Sequence, residues 1–278
     1  MLKQSNEKMP KIYTVLWAVM IAAYAVWMLG FMRYDTYPSA ETGVTSPAVH
    51  IIWTLFSTAL LALFPVYIKK LLYGGEPGKA LKLFCLSSLI FGCAFITWYG
   101  FFKDPFEFTA SMIGLEFPWH FKMWGLFASL SIFTNTLYMY RRNNFTSTAG
   151  IVCGSVGSAA IFVTINVPSA GEELILTSLR CMSHWTGALV FAFMCAAGIV
   201  IFLIAMAKRK SKRYIALLSV FSAILAAMLV LLVTVGKNGV IESLPMWAAY
   251  LLLLLVNFTN LFTEKHEAVQ PEEAVSVR

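Results

Sequence analysis

The chain has 278 residues, of which 59% are hydrophobic and only 13% charged, with a formal net charge of +7. Soluble domains carry ~25% charged residues, whereas here the charges are confined to short stretches between long uncharged runs, a pattern that all but excludes a soluble globular domain. One bilayer crossing takes ~20 consecutive apolar residues, so the sequence predicts an all-α, polytopic transmembrane helical bundle of about eight helices. In chain order the runs fall at 11–32, 48–68, 81–102, 117–140, 148–167, 182–207, 213–235 and 244–263. The first follows Lys3, Lys8 and Lys11, but it is longer than the ~7–15-residue core of a signal peptide. No A-x-A site follows it, and it reads as a retained helix. Between the second and third runs, Gly74, Gly75, Glu76, Pro77 and Gly78 predict a tight turn. No connection is long enough for a soluble domain, so residues 1–278 read as a single membrane domain with a polar tail over 264–278.

If the eight helices alternate, sixteen of the 21 basic residues fall on one side of the membrane, in clusters such as Lys69, Lys70, Lys79 and Lys82, and Lys208, Arg209, Lys210, Lys212 and Arg213. Arg33, Lys103, Lys122, Arg180 and Lys237 fall on the other, with most of the acids: Asp35, Glu41, Asp104, Glu107, Glu116, Glu172, Glu173 and Glu242. By the positive-inside rule this predicts a multi-pass protein of the cell membrane with both termini cytoplasmic. The basic balance therefore reports orientation and gives no reason to expect a nucleic-acid partner; membrane lipids are the expected partners, and the sequence leaves the oligomeric state open.

The fifth run carries Gly150, Gly154 and Gly157 among Ser155, Ser158, Ala159 and Ala160. Such a small-residue face lets neighbouring backbones approach closely, and it predicts tight packing within the chain ahead of dimerisation. Cys85, Cys93, Cys153 and Cys195 read as small apolar fillers. Cys181, three residues before His184, is a minor candidate for a thiol nucleophile.

No metal-ligand motif, nucleophile elbow, phosphate loop or dinucleotide fingerprint is present, and no cofactor is indicated. The chemistry that is legible lies in three histidines. His50, His120 and His184 stand near the starts of the second, fourth and sixth runs, each of which begins on the external side in the topology above. Similar depth predicts an externally facing histidine pocket with these three as catalytic candidates, flanked by Glu116 and Lys122 around His120 and by Arg180 and Ser183 around His184. Ionisable groups near the membrane interior are costly and usually face a cavity or one another. A neutral imidazole is a good general base near neutral pH. Three imidazoles could instead hold Zn²⁺ with an open position, and separations of 70 and 64 residues decide neither way. The competing reading leaves each histidine as an interfacial residue satisfied by headgroups, loops or water. Trp53, Trp98, Tyr99, Phe117, Trp119, Trp124, Trp185, Trp247 and Tyr250 fall at the same level, either as an interfacial aromatic belt or as an amphipathic mouth for an apolar ligand.

Ser46-Pro47-Ala48-Val49-His50, Phe117-Pro118-Trp119-His120-Phe121, Ser183-His184, and Leu244-Pro245-Met246-Trp247 through Tyr250 open the even-numbered runs. Together they resemble the YwaF-like bacterial integral membrane proteins over residues 46–263, with the first helix as an addition. That family's Leu-Pro-Leu-His-Leu-Cys-Asp motif is altered here: Phe121-Lys122-Met123 replaces its last three residues, so its cysteine and aspartate are absent. Its final Trp-Pro-Trp-Tyr motif is reduced to Met246-Trp247-Ala248-Ala249-Tyr250. The family is similar to eukaryotic acyltransferases of ether phospholipids, which use a cysteine beside the histidine, and more distantly to membrane hydrolases of fatty-acid esters. The resemblance implies a divergent lipid acyltransferase or ester hydrolase, with Lys122, Glu116, Arg180, Ser183, Trp247 and Tyr250 as candidates for substrate binding. The missing cysteine implies the alternative, a non-catalytic lipid- or solute-binding membrane protein, transporter or accessory subunit.

Overall fold

In the computed structural model, residues 11–31, 47–73, 77–167, 179–209 and 212–262 are described. Several residues used above lie outside them: Lys3, Lys8, Arg33, Asp35, Glu41, Ser46, Gly74, Gly75, Glu76, Glu172, Glu173, Lys210 and the tail with Lys265, His266 and Arg278. The described elements are all helical: α1 (Lys11–Val26, ending in a π-helical turn Trp27–Phe31), α2 (Pro47–Tyr73), α3 (Lys79–Gly100), α4 (Ala110–Glu116), α5 (Pro118–Arg142), α6 (Thr148–Asn166), α7 (Leu179–Lys208), α8 (Lys212–Thr234) and α9 (Gly239–Phe258). Among the described residues seven helices are long and apolar enough to cross a membrane. The chain is an integral, multi-pass membrane protein built as an all-α helical bundle.

The remaining long helix, α5, has 25 residues, or about 37 Å at 1.5 Å per residue, which is ample for a crossing. It is less apolar because lipid is not its surroundings. Every residue from Ser131 to Tyr140 is buried, including Ser131, Thr134, Asn135 and Thr136. A helix enclosed by other helices can carry polar side chains where they find partners, and several on α5 do. Asn135 Nδ2 donates to the carbonyls of Cys85 (3.1 Å) and Ser131 (2.9 Å), and Ser131 Oγ lies 2.5 Å from the Tyr250 hydroxyl. In contrast, α8 fully buries only Tyr214 and Phe221, and much of its remaining apolar surface is exposed.

The added helix α1 docks along one face. Tyr13, Trp17, Tyr24 and Met28 are its buried residues, spaced by 4, 7 and 4 so that they form one stripe. Each is also pinned by a hydrogen bond. Tyr13 donates to Ser155 Oγ (2.8 Å), Trp17 Nε1 to the Leu61 carbonyl (2.8 Å), and the Met28 carbonyl accepts from His50 Nε2 (3.0 Å). The Tyr24 hydroxyl accepts from Asn166 Nδ2 at 2.9 Å. Hydrophobic driving force is weak between helices in lipid, so packing and such polar contacts must supply the association.

The small-residue face of α6 packs within the chain, as expected. A Cβ on Gly198 of α7 would meet Gly150 O at 3.4 Å and Gly154 N at 3.6 Å, and one on Gly157 would meet Cys195 Sγ at 2.8 Å. Several boundaries differ from the sequence expectation: α2 runs on to Tyr73 and α9 ends at Phe258. Segment 110–116, expected as loop, is the short helix α4, capped by Thr109 Oγ1 accepting from Met112 N–H at 3.2 Å. The last helix starts at Gly239 rather than 244, because Asn238 Oδ1 caps it through Ile241 N–H at 2.9 Å. Glu242, expected in the loop, sits in its first turn, where a carboxylate suits the helix dipole.

The α6–α7 contact generates a test. A methyl group on Gly187 would lie 2.6 Å from Thr164 Oγ1 and 2.8 Å from the Ala160 carbonyl, whereas one on Gly100 meets nothing within 4 Å. Gly187→Ala is expected to destabilise the purified protein by about 1–3 kcal/mol. Gly100→Ala should unfold at the wild-type temperature in the same detergent.

Candidate functional site

The N-terminal ends of α2, α5 and α7 meet at one end of the bundle, together with the C-terminal end of α6. Lys122 of α5 reaches Ile165 and Asn166 of α6 and lies over the Trp53 ring of α2, and Phe121 stacks on His184 of α7 at 6.2 Å. Within that layer the three histidines have separate surroundings. His120 sits half-buried among the rings of Trp98, Phe102 and Phe117, at 5.2–6.0 Å. His50 is buried against the end of α1, where its Nε2–H donates to the Met28 carbonyl. His184 is buried against the end of α6. Its Nδ1 contacts the carbonyls of Thr164 (3.0 Å) and Val167 (2.7 Å), and Thr164 Oγ1 donates back to the His184 carbonyl (3.2 Å). Since a carbonyl only accepts, Nδ1 carries the proton, and the ring's other nitrogen, Nε2, is the acceptor.

Lys122 completes the same helix end. Its ammonium is buried, donating to the Ile165 carbonyl (3.0 Å) and to Asn166 Oδ1 (3.1 Å), with the Trp53 ring 5.7 Å away and no carboxylate partner among the described residues. The last carbonyls of a helix have no partner in their own helix, and a cation there also suits the dipole. Asn166 passes the network on through Nδ2 to the Tyr24 hydroxyl and to Ser57 Oγ (3.1 Å). The network links α1, α2, α5 and α6.

The other expected binding residues spread out. Glu116 pairs with Lys103 at the surface. Arg180 is buried at the start of α7. Ser183 Oγ turns back to the Leu179 carbonyl (2.8 Å). Trp247 Nε1 donates to Thr97 Oγ1 (3.0 Å), and Tyr250 meets Ser131, so both lie on the α3 and α5 side of α9. Among the described residues no three His, Cys, Asp or Glu side chains are grouped so as to hold a metal ion.

The opposite face of α9 lines a cavity of about 190 Å³ between α5, α6, α7, α8 and α9. Its walls are almost wholly apolar, and Ala188, Ala192 and Ala196 of α7, four residues apart, form its floor. Small side chains there leave the space open. The cavity runs beside α7 from His184 to Ile199, 15 residues or about 22 Å at 1.5 Å each. Its polar groups gather at one end: Ser111, His184, Lys237 and Glu242. Of the three histidines only His184 lines it.

That end is tightly tied. Lys237 Nζ contacts Glu242 Oε1 (2.8 Å) and Ser111 Oγ (3.3 Å) and stands 4.1 Å above the Trp185 ring. Glu242 Oε2 accepts from Ala110 N–H at 2.9 Å, so the pair also anchors α4. Sequence reading passed over Lys237, Glu242 and Ser111. The available signal was the cap Asn238 followed by an acid in the first turn, which would have moved Glu242 from loop to helix end and set Lys237 just before the cap. Asn166 and Ser57 carried no such signal.

No protein-family model matches this chain, and neither a curated protein nor a solved structure matches it.

The capping role of Lys122 is testable. Lys122→Met removes the donor for two buried acceptors and should cost roughly 1–3 kcal/mol in a denaturation series in mixed micelles. Lys103→Met removes a surface pair with Glu116 and a contact over the Phe108 ring, and is expected to cost less than about 1 kcal/mol.

Proposed function

We propose that this chain is a lipid-binding membrane protein whose cavity between α5 and α9 holds the apolar chain of an amphiphile, with the polar group beside Ser111, His184, Lys237 and Glu242. The carrying observation is the cavity itself: apolar along its length, polar at one end, and floored by alanines. A volume of about 190 Å³ is only somewhat larger than the ~150 Å³ cavity that holds a benzene. It suits part of one acyl chain entering from the bilayer better than a whole two-chain lipid. The resemblance to the YwaF-like proteins points to the same ligand class.

Binding is favoured over catalysis by the surroundings of His184. Ser183 Oγ is committed to Leu179, and Thr164 Oγ1 to the His184 carbonyl. Trp119 rather than a cysteine precedes His120. The second reading, an acyltransferase or ester hydrolase with His184 as base, rests on that histidine's place in the cavity wall. It requires the nucleophile to be a lipid alcohol or water. The distribution of basic residues supports a position in the cell membrane with both termini cytoplasmic.

Ala192→Phe, which fills the floor, is expected to lower the amount of lipid retained by protein released from nanodiscs into native mass spectrometry by tenfold or more. Retention unchanged from wild type would remove the binding reading. Ester hydrolysis by wild type that disappears in His184→Ala would favour the catalytic one. For orientation, a cysteine placed within 70–80 should react with an impermeant maleimide only in inside-out vesicles, and one within 170–175 only in intact cells.

A further inference from the structure

We infer that the amphiphile held in the cavity is neutral and bears a hydroxyl, which donates its hydrogen bond to Nε2 of His184. The inference rests on the binding reading above and specifies its ligand class. Two observations carry it, one about charge and one about hydrogen-bond polarity.

Among the described residues that line the polar end of the cavity, the charges are balanced. Lys237 is matched by Glu242, and its ammonium is further occupied by Ser111 and by the face of Trp185. Both oxygens of Glu242 are used, one by Lys237 and one by Ala110 N–H. An anionic headgroup would have to displace Glu242 from Lys237, and a cationic one would have to displace Lys237 from Glu242. Either exchange leaves a half-buried charge, 23% exposed, without its partner, which is unfavourable.

Hydrogen-bond polarity then selects among neutral groups. His184 is 1% exposed. Its Nδ1–H is fixed by two carbonyls of the α6 end, so the ring cannot take the other tautomer without leaving two buried acceptors facing a lone pair. A second proton on Nε2 would be a buried charge with nothing to accept it, because among the described residues Nε2 has no hydrogen-bond partner. What remains is a bare acceptor on a residue that lines the cavity. A hydroxyl satisfies it, while an ester or ether oxygen, itself an acceptor, faces lone pair to lone pair. Sites built around a hydrogen bond discriminate strongly against analogues that lack it, because the protein group is then left unpaired. Long-chain alcohols and monoacylglycerols both supply such a hydroxyl.

Trp124 and Trp185 line the cavity, so bromine-labelled chains report occupancy by quenching their fluorescence. The wild-type protein in nanodiscs is titrated with 11-bromo-1-undecanol, with methyl 11-bromoundecanoate and with 11-bromoundecanoate at alkaline pH. Ala192→Phe measures quenching from chains dissolved in the bilayer alone. Cavity-specific quenching by the alcohol is expected at a tenfold or more lower concentration than by the ester or the carboxylate. A brominated monoacylglycerol shows which hydroxyl source fits better. His184→Asn keeps an N–H donor for the α6 carbonyls and removes Nε2, and it should abolish the preference for the alcohol. Equal cavity-specific quenching by alcohol and ester in the wild type would overturn the inference while leaving lipid binding intact. Quenching that Ala192→Phe does not reduce for any probe would overturn the binding reading beneath it. The wild-type series decides the matter even if the Asn variant does not fold.

Discussion

The C-terminal carbonyls of the helices are the constraint on which this bundle depends. Inside a bilayer no water reaches them, and a backbone group left without a partner costs several kcal/mol. Helix α5 answers that demand at both of its ends. Near its start Lys122 takes the last turn of α6. At its end Arg141 donates to the Leu71 carbonyl of α2 at 2.8 Å, and Arg142 to the carbonyls of Val256 (2.9 Å), Asn257 and Thr259 (3.2 Å) at the end of α9. One buried helix thus fastens three others by their negative dipole ends, which accounts for cations on a helix surrounded by protein.

The same demand explains how one histidine takes on two roles. The α6 end needs a second donor, which His184 supplies through Nδ1. Fixing that nitrogen fixes the character of the other, and Nε2 becomes an acceptor in the cavity wall. A structural requirement of the backbone has therefore set the hydrogen-bond character of a residue that lines the cavity. His50 shows the first half of this arrangement, tying α2 to the π-helical turn of α1. His120 is packed among aromatic rings.

The cavity depends on what is missing from α7 and α8. Ala188, Ala192 and Ala196 leave room that leucine would fill, and α8 is held to its neighbours through few buried residues. Helix packing elsewhere is close enough that a single methyl group would collide, as at Gly187. Tight packing of α6 on α7 and loose packing of α8 beside it open a slot on one side of the bundle. At the mouth, the Lys237–Glu242 pair joins the α8–α9 connection to α4 and keeps the charges there balanced.

Hydropathy by itself determined the class of this protein and the approximate place of its long helices, because crossing a bilayer imposes a length and a composition that few other folds satisfy. It also placed His50, His120 and His184 in one layer, since alternation of helices fixes depth. Direction within the layer was not legible: residues at equal depth on different helices meet only if their helices are rotated toward each other, and rotation is set by packing. Hence Lys122 and His184 converge on the end of α6, while Trp247 and Tyr250 turn away from the cavity toward α3 and α5. Glu242 looks like a loop charge in a linear reading until Asn238 is taken as a helix cap, whereas Lys237 stays in the connection before that cap and lines the cavity only through the fold. Only the tertiary structure decided which polar groups face a cavity, because each must be matched to its partner across helices that are far apart in sequence.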